Sequence, residues 1–453
     1  MHLFLDDNYL LSNYSSKAIY EEVKNLPFVD IHNHVDILQL VENKNFDDIW
    51  QLEGQTDHYV WELMRRRGVP EAYITGEASN KEKWNKLASV FPDFAGNPIY
   101  EWIHLDLKRN LHINDEISSA LADNIWNTSK EVLKEDMLKP VNIIKNANIK
   151  KMCIVSDVID ELEHFKKVNA PYKILPVFRT DKVYNIEKGS FIDFCGALCK
   201  KYNKDCATLD GFLSALQSAL EYFKTFNCPV SDQGLTIPYG HYVNKEKARE
   251  VYIKKLSNKA LSLDDVSDFK AFMLFYLGEL YSENKLTAQY HIGAVRDYRK
   301  MLFDRLGPDT GGDISTNNID IAMNLKDFLN TFDSKFNIIL YILDPFHIPT
   351  ITTLVRAYPN VFIGAPWWFN DAPFGMEFCL KYISSVDLLS NFSGFTTDSR
   401  KIISFGSRIE VFRRVLSNVL GEFVEKSQMS HNRAIDIATK VSTKDILIQQ
   451  YAI

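Results

Sequence analysis

The chain has 453 residues, 46% hydrophobic and 25% charged, with a formal charge of −7. That balance describes an ordinary folded protein with room for one large domain or two. No basic run exceeds Arg65 to Arg67, so no nucleic-acid partner is expected, and no apolar stretch approaches the ~18 residues of a membrane span. The N-terminal "MHLFLDDNYLLSNYSS" carries acids where a signal peptide carries basic residues, so a cytoplasmic location is expected. The six cysteines (Cys153, Cys195, Cys199, Cys206, Cys228, Cys379) include no C-x-x-C pair, and all six are expected to be reduced thiols.

Short apolar or β-branched runs recur along the chain. They are "FVDIH" from Phe28, "KMCIVS" from Lys151, "ILPVF" from Ile174, "CPVS" from Cys228, "TAQYHI" from Thr287, "NIILYIL" from Asn337, "VFIGA" from Val361 and "FSGFTT" from Phe392. Between the later ones lie helical patterns. After the eighth run, Ile409, Phe412, Leu416, Val419 and Phe423 repeat at steps of three or four, the spacing of one helix face. Eight strands with helical returns predict an α/β fold, a closed (β/α)8 TIM-like barrel. An open doubly wound sheet is the alternative, but the chain has no G-x-G-x-x-G or Walker sequence.

Residues 38–148 are too many for one crossover. They hold Trp50, Trp61, Trp84, Trp102 and Trp126 and amphipathic patterns such as "DHYVWELMRRRGV", which predict a helical subdomain inserted after strand 1. The expected organisation is therefore residues 1–37 with strand 1, the insertion at 38–148, and the remaining barrel with C-terminal helices at 149–453.

In such a barrel the chemistry lies where strands end at their C-terminal side. Alternate residues of a strand share a face, so His32 and His34 in "FVDIHNHVD" can meet one cation. The other ends carry Ser156-Asp157, Arg179-Thr180-Asp181, Ser231-Asp232-Gln233, His291, Asp344-Pro345, Trp367-Trp368-Phe369 and Thr397-Asp398-Ser399-Arg400. Any one could be structural; Asp157 and Asp344 could each cap the next helix. Together they bring histidines, carboxylates and two arginines to one mouth, with Asp398 the natural third ligand to His32 and His34.

A strand 1 H-x-H with a strand 8 aspartate on a barrel resembles the amidohydrolase superfamily. Within it the chain closely resembles the uronate (glucuronate) isomerases. The resemblance runs through "DHYVWELMRRRGV", "FPDFAGNPIYEWIHLDL", "SDQGL", "QYHIGAVRDYR", "WWFND", "TDSR" and "VFRRVLSN", from about residue 28 to residue 420. It implies aldose to ketose isomerisation of hexuronates, glucuronate to fructuronate and galacturonate to tagaturonate, by metal-assisted proton transfer through an enediol. It further implies one divalent cation per subunit, zinc by expectation, on His32, His34 and Asp398. Asp398 would also transfer a proton, and Tyr59 would move one between the C1 and C2 oxygens. His58 and His291 would hydrogen-bond the sugar.

Arg179 and Arg400 are the candidates for the substrate carboxylate, since a guanidinium fork matches two oxygens. Asp232 is a candidate substrate-binding group, and Trp367 and Trp368 are candidate pocket walls, although adjacent residues of a regular strand face opposite ways, so one is expected in the core. The chain departs from the family pattern in "VSDVID" after strand 2, Arg179-Thr180-Asp181 after strand 3, and Ser231-Asp232-Gln233 after strand 4. A homo-oligomer acting on a small-molecule hexuronate is expected. The alternatives are a mononuclear metal-dependent hydrolase and a non-catalytic binding barrel; a binuclear hydrolase is disfavoured because strands 4 and 6 end in "PVSDQ" and "ILDP".

Overall fold

The computed structural model describes residues 4–447. Seven strands form one parallel sheet: β1 (Phe28–Asn33), β2 (Ile149–Asp157), β3 (Lys173–Arg179), β4 (Val230–Leu235), β5 (Thr287–Ile292), β8 (Ile338–Ile342) and β9 (Val361–Ile363), paired in the order β1-β2-β3-β4-β5-β8-β9. The two-residue arms β6 (Ala294–Val295) and β7 (Ile314–Ser315) make a separate antiparallel pair. In the sheet, β2 and β3 run in register from Lys151 opposite Lys173 to Asp157 opposite Arg179. Both faces are covered, and β5 and β8 are buried along their whole length, as parallel strands between helices require.

The eighth run, from Phe392, is not a regular strand, which corrects the expected count. It is extended and still closes the barrel: Ser393 N–H donates to Ile363 O at 3.1 Å on one side. On the other, Asp398 N–H donates to His32 O at 3.1 Å and His34 N–H to Ser399 O at 2.9 Å. Two residues with positive φ, Gly394 (98°) and Asp398 (46°), break the pleat. A side chain then replaces part of the ladder, as the buried Asp30 carboxylate accepts Thr397 N–H at 2.9 Å and Thr397 Oγ1 at 2.8 Å.

Between β1 and β2 every regular element is helical, from Ile37–Glu42 to Pro140–Asn146. Their starts carry the capping side chains that satisfy free N–H groups: Asp48 accepts from Gln51 N, Asp57 from Tyr59 N, and Ser79 with Glu82 forms a capping box. Trp50, Trp84 and Trp102 are buried in a core continuous with that of the barrel. The helix Ser404–Glu425 buries Ile409, Phe412, Leu416 and Val419, the face its spacing predicts. Among the described residues no helix is long and apolar enough to cross a membrane.

The cysteines need one correction. Cys199 and Cys206 form a disulfide, with Cα atoms 5.8 Å apart. The helix Phe191–Tyr202 ends at Asn203 in the left-handed conformation, which turns the chain back and brings Cys206 onto Cys199, a return that residue spacing alone does not reveal. Cys153, Cys195, Cys228 and Cys379 are free and buried.

Candidate active site

Every candidate residue named from the sequence, except Asp232, lines one cavity at the C-terminal ends of the strands. His32 ends up buried and His34 partly open, on the same side of the chain, with rings 5.0 Å apart and nearly perpendicular. Both Nε2 atoms face one oxygen of Asp398: His32 at 3.2 Å and His34 at 3.3 Å from Oδ1. Ligands at ~2.0–2.1 Å from a tetrahedral cation lie about 3.3 Å from each other, so each histidine is spaced from the Asp398 oxygen as two ligands of one cation are, and all three donors lie within 4.8 Å of one another. His32, Asp232 and His291 make a second cluster of potential ligands that shares His32.

The charge state suits a cation. Burial pushes His34 down to about 3, leaving a neutral imidazole with a free lone pair, the form that ligates. Burial works against the charge of Asp398 too, but the hydrogen bonds of His32 and His34 and the charge of His32 hold it well below the usual carboxylate range. For His32, burial is outweighed by the Asp232 and Asp398 carboxylates, so its pKa rises. A site in which a buried and a partly buried carboxylate draw a proton onto an imidazole is one that a divalent cation would satisfy instead.

Asp232 sits behind the wall rather than in it. It is buried, with Oδ1 at 2.8 Å from His291 Nδ1 and 3.7 Å from His32 Nδ1, and Oδ2 at 3.0 Å from Arg179 Nη1. Arg179 also pairs with Asp181. Gly234 is part of this arrangement: a Cβ there would lie 3.0 Å from Asp181 Oδ1, which accepts the Gly234 N–H. Arg400, by contrast, has its nearest carboxylate, Asp309 Oδ1, at 3.8 Å. Of the two arginines expected to receive a carboxylate, Arg400 is the freer.

His58 and Tyr59 are the first two residues of the helix His58–Arg66, so their side chains leave its N-terminus toward the barrel. Their rings stack at 4.6 Å, and Trp368 meets His58 edge-on at 5.8 Å. Burial, then the charge of Arg400, lowers His58 to about 4. Burial and then the charge of Asp398 raise the Tyr59 phenol well above its usual value, so it stays protonated. His291 stacks flat on Tyr341 at 4.4 Å and meets Trp367 edge-on at 4.7 Å.

Both tryptophans line the cavity and both are also buried in the hydrophobic core behind it, so the pair is not divided between mouth and core as a regular strand would divide it. β9 ends at Ile363, and Trp368 has φ +52° at the start of a 3-10 turn, so strand alternation no longer governs the pair. Asp344 caps the turn that follows it, accepting Phe346 N–H at 3.0 Å, whereas Asp157 caps no helix and instead accepts Ile159 N–H at 3.2 Å and pairs with Lys182. Sequence reasoning missed Arg296, which lines the cavity with its guanidinium 4.4 Å from the Trp368 ring centre and pairs with Asp313 at 3.0 Å. It lies past the last strand residue, beyond Gly293 at φ +98°. A search for basic residues in the loop after each strand, rather than at the strand tip, would have found it.

The sequence model of the glucuronate isomerase family matches residues 1–447. The uronate isomerase of Thermotoga maritima is 50% identical over 443 residues, covering 97% of this chain and 98% of the relative. That of Caldanaerobacter subterraneus is 34% identical over 446 residues, covering 95% of each. The crystal structure of the Thermotoga maritima uronate isomerase superposes with a TM-score of 0.96 over 98% of this chain and 99% of that one. The glucuronate isomerase of Caulobacter crescentus, at 22% identity, shares the fold, with a TM-score of 0.92 over 97% of this chain and 95% of that one. A match that runs the length of the chain, at this identity, carries more than the barrel: the chain belongs to the glucuronate isomerase family and is an enzyme that isomerises hexuronates.

Proposed function

We propose that the enzyme converts D-glucuronate to D-fructuronate and D-galacturonate to D-tagaturonate through an enediol, at one divalent cation, zinc, on His32, His34 and Asp398. The observation that carries the site is the 3.2 and 3.3 Å spacing of both histidines to a single Asp398 oxygen. When bound, the cation would polarise the sugar oxygens and stabilise negative charge on them.

The chain's own groups do the rest. Asp398 is held ionised and accepts the C2 proton of the open-chain aldose. Tyr59, held protonated, gives its proton to the C1 oxygen and takes one from the C2 oxygen, so the enediol collapses to the ketone. Asp398 returns its proton to C1, and both groups end as they began. His58 and His291, kept neutral by burial, hydrogen-bond the sugar oxygens. Arg400 takes the substrate carboxylate. Arg179 borders the same end, but Asp181 and Asp232 already occupy part of its fork. Asp232 serves from behind by orienting His291 and Arg179, a role closer to its position than direct substrate contact. Trp367 and Trp368 wall the pocket. Residues 38–148 act as a subdomain that delivers His58 and Tyr59 to the mouth.

Asp398→Asn tests the base. It keeps an oxygen donor but loses basicity, so turnover should fall by about 10² to 10⁴-fold in protein whose metal content is retained. In D2O the ketose should carry deuterium at C1 to the extent that the proton held by Asp398 exchanges with solvent before delivery, whereas a direct hydride shift would carry the C2 hydrogen across unexchanged. Full turnover by metal-loaded Asp398→Asn would sink the assignment.

A further inference from the structure

The structure assigns to Lys401 the role of a positioning residue: its ammonium ties the tip that carries Asp398 to the helix that carries His58 and Tyr59. It lies three residues beyond Asp398, buried, with Nζ 2.8 Å from Glu53 Oε2 and 3.2 Å from Asp57 Oδ2. Asp57 is the N-cap of the helix His58–Arg66, and its Oδ1 accepts the Tyr59 N–H at 3.0 Å. One carboxylate therefore holds the backbone of Tyr59 with one oxygen and Lys401 with the other. Glu53 ends the preceding helix, Ile49–Glu53, so the same ammonium also closes the turn from 54 to 57.

The Lys401 end is anchored as well. Ser399 Oγ donates to Lys401 O at 2.8 Å and accepts Lys401 N–H at 3.2 Å. Just beyond, Ser404 Oγ and Ser407 Oγ donate to Asp106 at 2.6 and 2.5 Å, binding the helix Pro98–Asn110 to the same tip. Glu53, Asp57, Asp106 and Lys401 are all buried.

Two carboxylates on one ammonium, with Asp106 buried nearby, are a costly way to fill a core, since apolar side chains of similar volume commonly do as well or better for stability. What such a core would not do is register two catalytic segments that are far apart in sequence. The tie runs from Asp398 along the chain to Lys401, from Nζ to Asp57 by an ion pair, and from Asp57 to the Tyr59 amide by a hydrogen bond.

The inference rests on the roles given above to Asp398 and Tyr59, so its test needs a readout that does not depend on them. Lys401→Met combined with Glu53→Gln removes the closest contact of the ammonium and leaves the chain able to pack. In this double variant kcat should fall about 10- to 100-fold, the effect of a small misplacement of reacting groups. KM for glucuronate should stay within about threefold, because Arg400 is untouched. Metal content should be unchanged, and amide exchange at 58–60, followed by mass spectrometry, should quicken. Lys401→Arg, which keeps a cation between both carboxylates, should restore kcat to within about threefold. If the double variant does not fold, Asp57→Asn keeps the cap oxygen but drops the charge facing Lys401, and lowered kcat at unchanged KM supports the tie. Wild-type kcat with wild-type exchange at 58–60 overturns it, as does a parallel loss of kcat and rise of KM, the mark of general loosening. Should Tyr59→Phe retain kcat, the proton-transfer role of Tyr59 fails, while the exchange measurement still decides the role of Lys401.

Discussion

Arg179 and Arg400 should answer differently to the same substitution, because their partners differ. Arg400 has no carboxylate nearer than Asp309 at 3.8 Å, so its donors are free for a ligand. Replacing it by Met removes charged hydrogen bonds to the substrate carboxylate worth ~1.5–3 kcal/mol, or roughly 10- to 150-fold in kcat/KM for uronates. Folding should hardly change. Arg179 instead faces Asp181 and the fully buried Asp232. Arg179→Met would leave Asp232 Oδ2 without its partner, with His291 still on Oδ1, and cost about 3 kcal/mol of stability, the low end for breaking a buried pair because the guanidinium is partly open to solvent. For a chain of this length that is roughly 3 °C in Tm. The assay is kcat/KM on glucuronate beside a thermal melt for each variant. An Arg400→Met protein that is destabilised but keeps its kcat/KM, or an Arg179→Met protein that melts as wild type, would refute the reasoning.

Three further outcomes are expected. A His32→Ala, His34→Ala double variant should lose its divalent cation on dialysis against a weak chelator, read by elemental analysis; full retention would place the metal elsewhere. Tyr59→Phe should lower kcat by about 10²-fold or more while leaving KM for uronates nearly unchanged. His58 titrates near 6.5 when unfolded and at about 4 in the folded protein, so the unfolded chain binds the extra proton between those values. Its contribution to stability is therefore complete above about pH 6.5 and is lost as pH falls toward 4; urea unfolding across that range should show the slope, and His58→Gln should flatten it.

Much of this protein was legible in its residues. Local pattern placed seven strands, because a parallel strand covered on both faces is buried along its whole length, as β5 and β8 are, and so draws mainly on apolar and β-branched residues. The two-residue period put His32 and His34 on one side, and the polar ends of separate strands converged because barrel geometry leaves them no other place to go. Tertiary structure decided what local pattern cannot encode. The run from Phe392 looks like a strand but closes the barrel irregularly, since the Asp30 side chain, distant in sequence, takes the Thr397 hydrogen bonds. Trp367 and Trp368 both reach the cavity because the strand has already ended. Asp232 withdrew behind the wall, Arg296 entered it from a loop, and Cys206 turned back onto Cys199. Composition and periodicity report which face a side chain takes relative to its own backbone; which charge it meets there depends on segments hundreds of residues away, and only the closed fold brings those together.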